Sequence, residues 1–406
     1  MTTFTELPLS PALQERLAAA HFATPTPVQA ASIPAAIEGK DVLATAATGT
    51  GKTLAYLLPV MQQLEKQPTR EIMAVVLVPT RELAMQVVDQ YEALRGRKLP
   101  PAALVVGGLS ERPQLMAIRK GAGLMVATPG RLEDFISRRL INLSRVRILV
   151  LDEADRMLDM GFVEAIRRIV KILPQNRQTL CFSATLEASV AHLVKAILRD
   201  PVRLAFGSTL KPVENVTIEA IEVHEDRKKE ALHHILSRET GRCLIFARTK
   251  RGTERLAKSL IHGGFSAGMI HGDRSQNQRT AALHGFQQGH IQILVATDVA
   301  SRGIHVQDVA HVINYDLPQI AEDFVHRVGR TARAGRTGKA STLFVRHEAR
   351  ELRKLETTLG IRMERRSLGV LPALPSEKPQ VVRRSVLNTR RTIIRLPGES
   401  FREESA

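Results

Sequence analysis

Short, continuous apolar runs, each followed by a helical pattern, constrain the fold of this chain more than any other feature. The runs at 41–47 (DVLATAA), 72–80 (IMAVVLVPT), 102–108 (AALVVGG), 123–129 (GLMVATP), 147–154 (RILVLDEA) and 179–185 (TLCFSAT) are rich in Val, Ile and Leu. Unbroken runs of this kind mark strands covered on both faces, as in a parallel sheet. Between them lie amphipathic stretches such as RELAMQVVDQYEAL at 81–94. Repeated β-α units of this length predict an α/β fold in which a parallel sheet is sandwiched by helices. The pattern then restarts at 243–249, 266–272, 293–299, 311–316 and 340–346, so two such domains follow in series. The expected bounds are 1–205 for the first domain and 217–360 for the second. The joint between them, 206–216, carries Gly, Ser, Thr and Pro. After 360 the periodicity fades. Residues 361–406 hold ten Lys/Arg, five acids and four prolines, and read as a flexible basic tail.

Charge narrows the partners. The 406 residues include 58 Lys and Arg against 41 acids, a net charge of +17. That balance favours a polyanion such as nucleic acid. With no Trp, three Tyr and twelve Phe, the chain has few aromatics to stack on splayed bases, so contact with a sugar-phosphate backbone is expected over base reading. No apolar run approaches the ~20 residues that span a bilayer, and no membrane partner is expected. The first residues, MTTFTELPLS, lack the basic and apolar segments of a signal peptide. Cys181 and Cys243 lie in apolar settings and read as buried thiols. Together these features predict a cytoplasmic location.

The stretch Ala46 to Thr53, AATGTGKT, follows an apolar run and precedes a helical one. Strand, loop and helix in that order are the context of a phosphate-binding loop. Backbone N–H groups and the helix N-terminus supply positive potential there. Ala46, Ala47, Thr48, Gly49, Thr50 and Gly51 would line the phosphates, with the two glycines allowing close approach. Lys52 would reach the β- and γ-phosphates and Thr53 would hold Mg²⁺. Ala46 stands where the general pattern has glycine. A second element lies a hundred residues on, where the run RILVL ends in Asp152, Glu153, Ala154 and Asp155. Asp152 is the expected Mg²⁺ residue, through water, and Glu153 the general base. Asp159 reads as a solvated cap.

Asp152 to Asp155 spell DEAD, and the chain resembles the DEAD-box RNA helicases of bacterial type over about residues 4–350. The motifs follow the family's order: Phe4 with FATPTPVQ (22–29), the phosphate loop, PTREL (79–83), Gly107-Gly108, TPGR (128–131), DEAD and SAT (183–185). LIFART (244–249), HGDRSQNQR (271–279), ILVATDVASRGIHVQDV (293–309) and FVHRVGRTARAGR (324–336) complete the series. The family's own loop is A-x-T-G-[ST]-G-K-T, so Ala46 fits it. The resemblance implies two tandem RecA-like domains and RNA-stimulated hydrolysis of ATP with Mg²⁺. That hydrolysis would drive local, sequence-independent separation of short RNA duplexes or remodelling of RNA–protein particles. An ATP-gated RNA clamp that rarely unwinds is the alternative.

Residue by residue, Gln29 is expected on adenine's N6 and N7 edge, Phe22 stacked on the ring, and Phe4 packed behind them. Arg81, Gly108, Thr128, Arg131, Arg279 and Thr297 are expected RNA contacts. Asp155, Ser183 and Thr185 would couple nucleotide state to RNA binding. Asp298, Arg302, His326 and Arg327 would link the motifs between domains. Arg330 and Arg333 would reach the γ-phosphate across the cleft; the i, i+3 spacing of Arg327, Arg330 and Arg333 predicts one helix face for all three. The sequence departs from the family at His305, where Asp is usual and would meet the ATP ribose. It departs again at His21 and Ala332, where Gly is common; both are expected to be tolerated. The tail is expected to anchor the chain on a large RNA such as ribosomal RNA or its particle, against the alternative of a solubilising segment.

Overall fold

A computed structural model describes residues 3–46, 49–67, 69–185, 188–206, 215–301, 309–332 and 337–368, all within one unit spanning 1–372. The apolar runs become strands whose burial is complete at most positions, because helices cover both faces. The first sheet contains β1 (Val42–Ala46), β2 (Ala74–Leu77), β3 (Ala102–Val105), β4 (Leu124–Ala127), β5 (Ile148–Leu151), β6 (Gln178–Ser183) and β7 (Val202–Phe206). The second contains β8 (Val216–Glu222), β9 (Cys243–Phe246), β10 (Ala267–Ile270), β11 (Ile293–Ala296), β12 (His311–Asn314), β13 (Gly338–Phe344) and β14 (Glu364–Ser367). Every pairing within the two sheets is parallel.

The strand orders are β3-β4-β2-β5-β6-β1-β7 and β10-β11-β9-β12-β13-β8-β14. Counted from the first strand of each lobe, the two orders are the same. The repetition invisible in the residues is therefore explicit in the topology, and β8 in the second lobe occupies the place of β1 in the first. Each lobe has two apolar layers, one on each side of its sheet. Cys181 and Cys243 are free, buried thiols, and burial pushes each up to about 12. No helix among the described residues is long and apolar enough to cross a membrane.

Three strands were not anticipated. The burial of β7 alternates, that of β8 is partial, and all four residues of β14 are exposed, so none carries a continuous apolar run. The segment expected to be a tail thus begins inside the fold: Met363 is 1% exposed, and residues 364–367 pair with 219–222 of β8. Glu356 accepts from Met363 N and from Arg365 Nη2, which anchors the strand. The rest of that segment, 369–406, and the joint residues 207–214 lie outside the described residues.

Both positions where glycine is common in the family adopt left-handed backbone, His21 with φ 61° and Ala332 with φ 54°. His21 closes the helix Pro11–Ala19: its N–H donates to Ala18 O and Phe22 N–H to Leu17 O, the pairing that usually ends on glycine. A Cβ in this region costs roughly 1–2 kcal/mol. His21→Gly and Ala332→Gly should each raise the urea midpoint, by about 1 kcal/mol of unfolding free energy after the entropy of glycine is counted. An unchanged or lowered midpoint would contradict the assignment of strain.

Candidate active site

Apart from Phe4, Phe22 and Gln29, which precede β1, the described residues singled out by chemistry come at or after the carboxyl ends of strands, where open α/β sheets bind ligands. The phosphate loop follows β1 and enters the helix Lys52–Lys66, with Gly51 at its N-cap (φ 89°). Within the loop, Ala47 and Thr48 lie outside the described residues. Gly49 and Thr50 lead into Gly51, and Lys52 Nζ donates to Ala46 O at 2.9 Å. Lys52 is 6% exposed, so its ammonium has little water and is held by the loop's own carbonyl. Thr53 is half-buried on the first turn.

Gln29 ties the preceding segment to this loop. Its Oε1 accepts from Thr26 N at 2.9 Å, and its Nε2 donates to Gly51 O at 2.9 Å. Both ends of the amide expected to read adenine thus already hold backbone, although each retains one further donor or acceptor site. Phe22 is 38% exposed, as a ring available to stack would be, and Phe4 is buried with its N–H on Ala23 O.

The acidic cluster follows β5. Asp152 is 3% exposed, and its carboxylate accepts from Tyr56 Oη at 2.8 Å and from Glu153 N at 2.9 Å. Burial pushes Asp152 up to about 6; the charge of Glu153 adds to the rise, and Lys52 opposes it. Burial and the Asp152 carboxylate push the Tyr56 hydroxyl far above its ordinary range, so it stays a donor. Glu153 has φ 52°, a strained left-handed conformation for a residue that carries a side chain. Asp155 holds the segment after β6: its Oδ2 accepts from Ala184 N (3.0 Å), Thr185 N (2.9 Å) and Thr185 Oγ1 (3.3 Å), and its N–H donates to Ser183 Oγ. Asp152 and Thr53 offer hard oxygen donors, and among the described residues no group of three or more His, Cys, Asp and Glu could hold a metal. That donor set fits Mg²⁺, which keeps several waters and takes one or two protein oxygens together with phosphates.

The second lobe meets this cluster. Arg156, directly after Asp155, pairs with Asp323 at 3.3 Å, with side-chain exposures of 5% and 10%. Asp323 lies on the helix Ala321–Val328 with His326 and Arg327. Arg327 is fully enclosed: it holds Asp298 through two bonds (2.6 and 2.7 Å), Asn314 at 3.2 Å and Asp316 O at 2.7 Å, and stacks over Phe246. The helix ends at Val328, with Gly329 as cap. Arg330 therefore leaves from a turn and does not share a helix face with Arg327, contrary to the spacing argument. The cause is local: Thr331 Oγ1 donates to Val309 O and draws the chain into a bridge with that residue. Arg330 is 6% exposed and lines a narrow cavity with Arg156, Asp298, Asp323 and His326. Arg302, His305 and Arg333 lie outside the described residues.

Two of the expected RNA contacts, Arg81 and Arg279, meet in a second network. Arg81 Nη1 donates to Gln276 Oε1 at 3.2 Å, Gln276 Nε2 to Glu82 Oε1 at 3.1 Å, and Arg279 Nη2 pairs with Glu82 Oε1 at 3.1 Å, so both lobes join in one network. Burial lowers the Arg81 guanidinium from its ordinary value, and the charges of Arg279 and Arg131 add to this. Three cations from two lobes thus face one place. Gly108 makes room for Arg81: a Cβ there would lie 2.0 Å from Arg81 Nη1. Arg131 packs over Phe135, Thr128 precedes its helix, and Thr297 is buried at the end of β11 with its N–H on Ile270 O. Tyr56, Glu82, Arg156, Gln276 and Asp323 were not anticipated. Tyr56 alone left a signal, as a hydroxyl within an otherwise apolar helical run.

With burial pushing Asp152 up to about 6, Mg²⁺-dependent nucleotide affinity should fall as pH drops below that value. One unit below, about a tenth of the carboxylate remains ionised, and affinity should be about tenfold weaker. Fluorescent ADP titrated with Mg²⁺ between about pH 7 and 5 would reveal the step, and Asp152→Asn should remove it. An equal step in both proteins would contradict the assignment.

Residues 26–193 match the DEAD/DEAH box helicase family and residues 227–335 match the helicase conserved C-terminal domain. The DEAD-box ATP-dependent RNA helicase CshA of Geobacillus kaustophilus is 40% identical over 90% of this chain and 78% of that protein. An ATP-dependent rRNA helicase of Yarrowia lipolytica is 41% identical over 89% of this chain and 76% of its own. Among solved structures, S. cerevisiae Dbp5 bound to RNA and ADP BeF3 superposes with a TM-score of 0.83 at 29% identity, covering 90% of this chain and 96% of that one. The likeness spans both lobes, so the lobe arrangement is shared as well as the fold. The chain belongs to the DEAD-box family of ATP-dependent RNA helicases.

Proposed function

We propose that closure of the two lobes on ATP and RNA is the working step of this helicase, with residues 1–205 and 217–360 as its two domains. One observation carries the reading. Neither lobe holds a whole site, and the described contacts bring Arg156, the residue after Asp155 of the first lobe's acidic cluster, together with Asp323, Arg327 and Arg330 of the second.

ATP phosphates lie along 46–53, and the Lys52 ammonium exchanges Ala46 O for phosphate oxygen. Phe22 and Gln29 receive the adenine. Thr53 and Asp152 would hold Mg²⁺, which would offset the charge of the phosphates. The Tyr56 hydroxyl keeps the Asp152 carboxylate in one orientation. Glu153 accepts the proton of the attacking water, and Arg330, with Arg333, offsets charge that grows on the γ-phosphate. Asp155 holds the 183–185 segment, so the state of the nucleotide is carried to Ser183 and Thr185.

RNA phosphates meet Arg81, Arg131 and Arg279, with Thr128, Thr297 and the backbone at Gly108. Since Arg81 and Arg279 belong to different lobes, only the closed form presents both. One strand held on that surface no longer fits an A-form duplex, and release of phosphate reopens the cleft. This is backbone recognition, in keeping with a +17 chain poor in aromatics. Residues 369–406 add a basic segment suited to anchoring on a large RNA such as ribosomal RNA, and the setting is the cytoplasm.

Glu153→Gln should lower ATP turnover in saturating RNA by about 10² or more while leaving nucleotide binding in place. Arg330→Ala should lower turnover by about 10³ and RNA affinity far less. Normal hydrolysis by the first variant, or equal losses of turnover and RNA affinity in the second, would contradict the roles.

A further inference from the structure

The two sheets share one strand order, so each place in the first lobe has a counterpart in the second. In the first lobe the phosphate loop leaves the carboxyl end of β1, beside β6 and β7. The counterpart in the second lobe is the carboxyl end of β8, beside β13 and β14. An open groove of about 760 Å³ lies there. Arg346, Arg353, Arg365, Arg366, His224 and His347 line it, against the acids Glu222 and Glu225. Two of the four arginines are engaged: Arg365 with Glu356 at 2.6 Å and Arg366 with Glu219 at 3.1 Å. Arg346 and Arg353 are exposed and have no carboxylate within ion-pair distance among the described residues.

We propose that this groove is a second phosphate-binding site, and that it holds RNA backbone outside the catalytic cleft. Three features favour a polymer over a nucleotide. The chain after β8, VHEDRKKEA, has no glycine-rich loop to wrap a terminal phosphate, so side-chain guanidinium groups make the contacts. The one Phe, Tyr or Trp in the described lining, Phe344, is 4% exposed and lies under Arg365, so its ring offers no open face to a base, and apart from the exposed imidazoles the cationic lining is guanidinium groups. The groove is open, and guanidinium groups along it suit successive phosphodiesters. Its place also separates it from the cleft. β14 is at the opposite edge of the second sheet from β10, about 29 Å away at ordinary strand spacing, and β10 borders the network of Gln276 and Arg279. Because the groove lies wholly in one lobe, it can stay on RNA while the lobes open and close.

The proposal rests on RNA being the polymer the chain acts on, and hydrolysis stimulated by a short RNA reads that separately. In the full chain, Arg346→Gln with Arg353→Gln should leave ATP hydrolysis stimulated by a strand of about 6 nucleotides unchanged. The same variant should bind a strand of about 30 nucleotides about tenfold more weakly at ~0.15 M salt, with the log–log salt slope reduced by about 1.4. Arg346→Glu with Arg353→Glu should deepen the loss, and thermal melts of both variants should match the parent. An unchanged affinity and slope for the long strand would overturn the proposal, as would an equal loss on the short one. Loss of inorganic polyphosphate binding with long-RNA affinity intact would assign the groove to free polyphosphate and also overturn it. If the parent shows no RNA-stimulated hydrolysis, it is the helicase reading that fails.

Discussion

The ion pair between Arg156 and Asp323 is the contact on which the assembled site depends. Both side chains are almost wholly withdrawn from water, and each is the other's neighbour across the lobes. Removing such charges from water costs several kcal/mol per ion unless geometry and further bonds compensate. The pair therefore adds little net stability but is strongly selective: the closed arrangement satisfies both charges, and a partly closed one would strand them. Arg156 N–H donates to Asp155 Oδ1, and Asp155 in turn holds Ala184 and Thr185. Asp323 shares a short helix with Arg327, whose guanidinium is locked on Asp298 and Asn314. One contact thus connects the acidic cluster, the 183–185 segment and the basic segment of the second lobe.

The network of Arg81, Glu82, Gln276 and Arg279 is the counterpart on the RNA side. Arg279 meets the Glu82 carboxylate here, in the place where an RNA phosphate would compete for the guanidinium. Closure gathers Arg81, Arg131 and Arg279; burial first, and then the charges of Arg279 and Arg131, lower the Arg81 guanidinium from its ordinary value. On the proposed reading, polyanion binding would relieve the repulsion among these cations and so couple RNA to the closed form without any base being read. The same physics accounts for the division of labour in the fold. Parallel strands present their carboxyl ends to one side, and both lobes turn that side toward ligands.

Much of this was legible in the sequence because the central strands are continuous apolar runs, and several of those runs end in residues proposed to carry the chemistry. β7, β8 and β14 escaped because their burial is alternating or absent, which leaves no run to see. The onset of the basic tail was set too early for the same reason: Met363 is a single buried anchor in a polar stretch. The helix through Arg327 was drawn too long, since Gly329 and the bridge at Thr331 end it before Arg330. Two substitutions at positions where glycine is common, His21 and Ala332, could be read as departures, but their left-handed backbone appears only in three dimensions. Pairings across the chain, Tyr56 with Asp152 and Arg156 with Asp323, join residues whose separation in sequence gives no hint of contact.

The claim that this buried pair governs closure is tested most directly by exchanging its charges. Arg156→Asp and Asp323→Arg should each raise the RNA concentration needed for half-maximal ATP hydrolysis by about 10² or more, since removing one partner of a buried pair costs roughly 3–5 kcal/mol. Combining the two changes restores opposite charges and should recover much of that loss. Single variants that behave like the parent, or a double variant no better than the singles, would contradict the account.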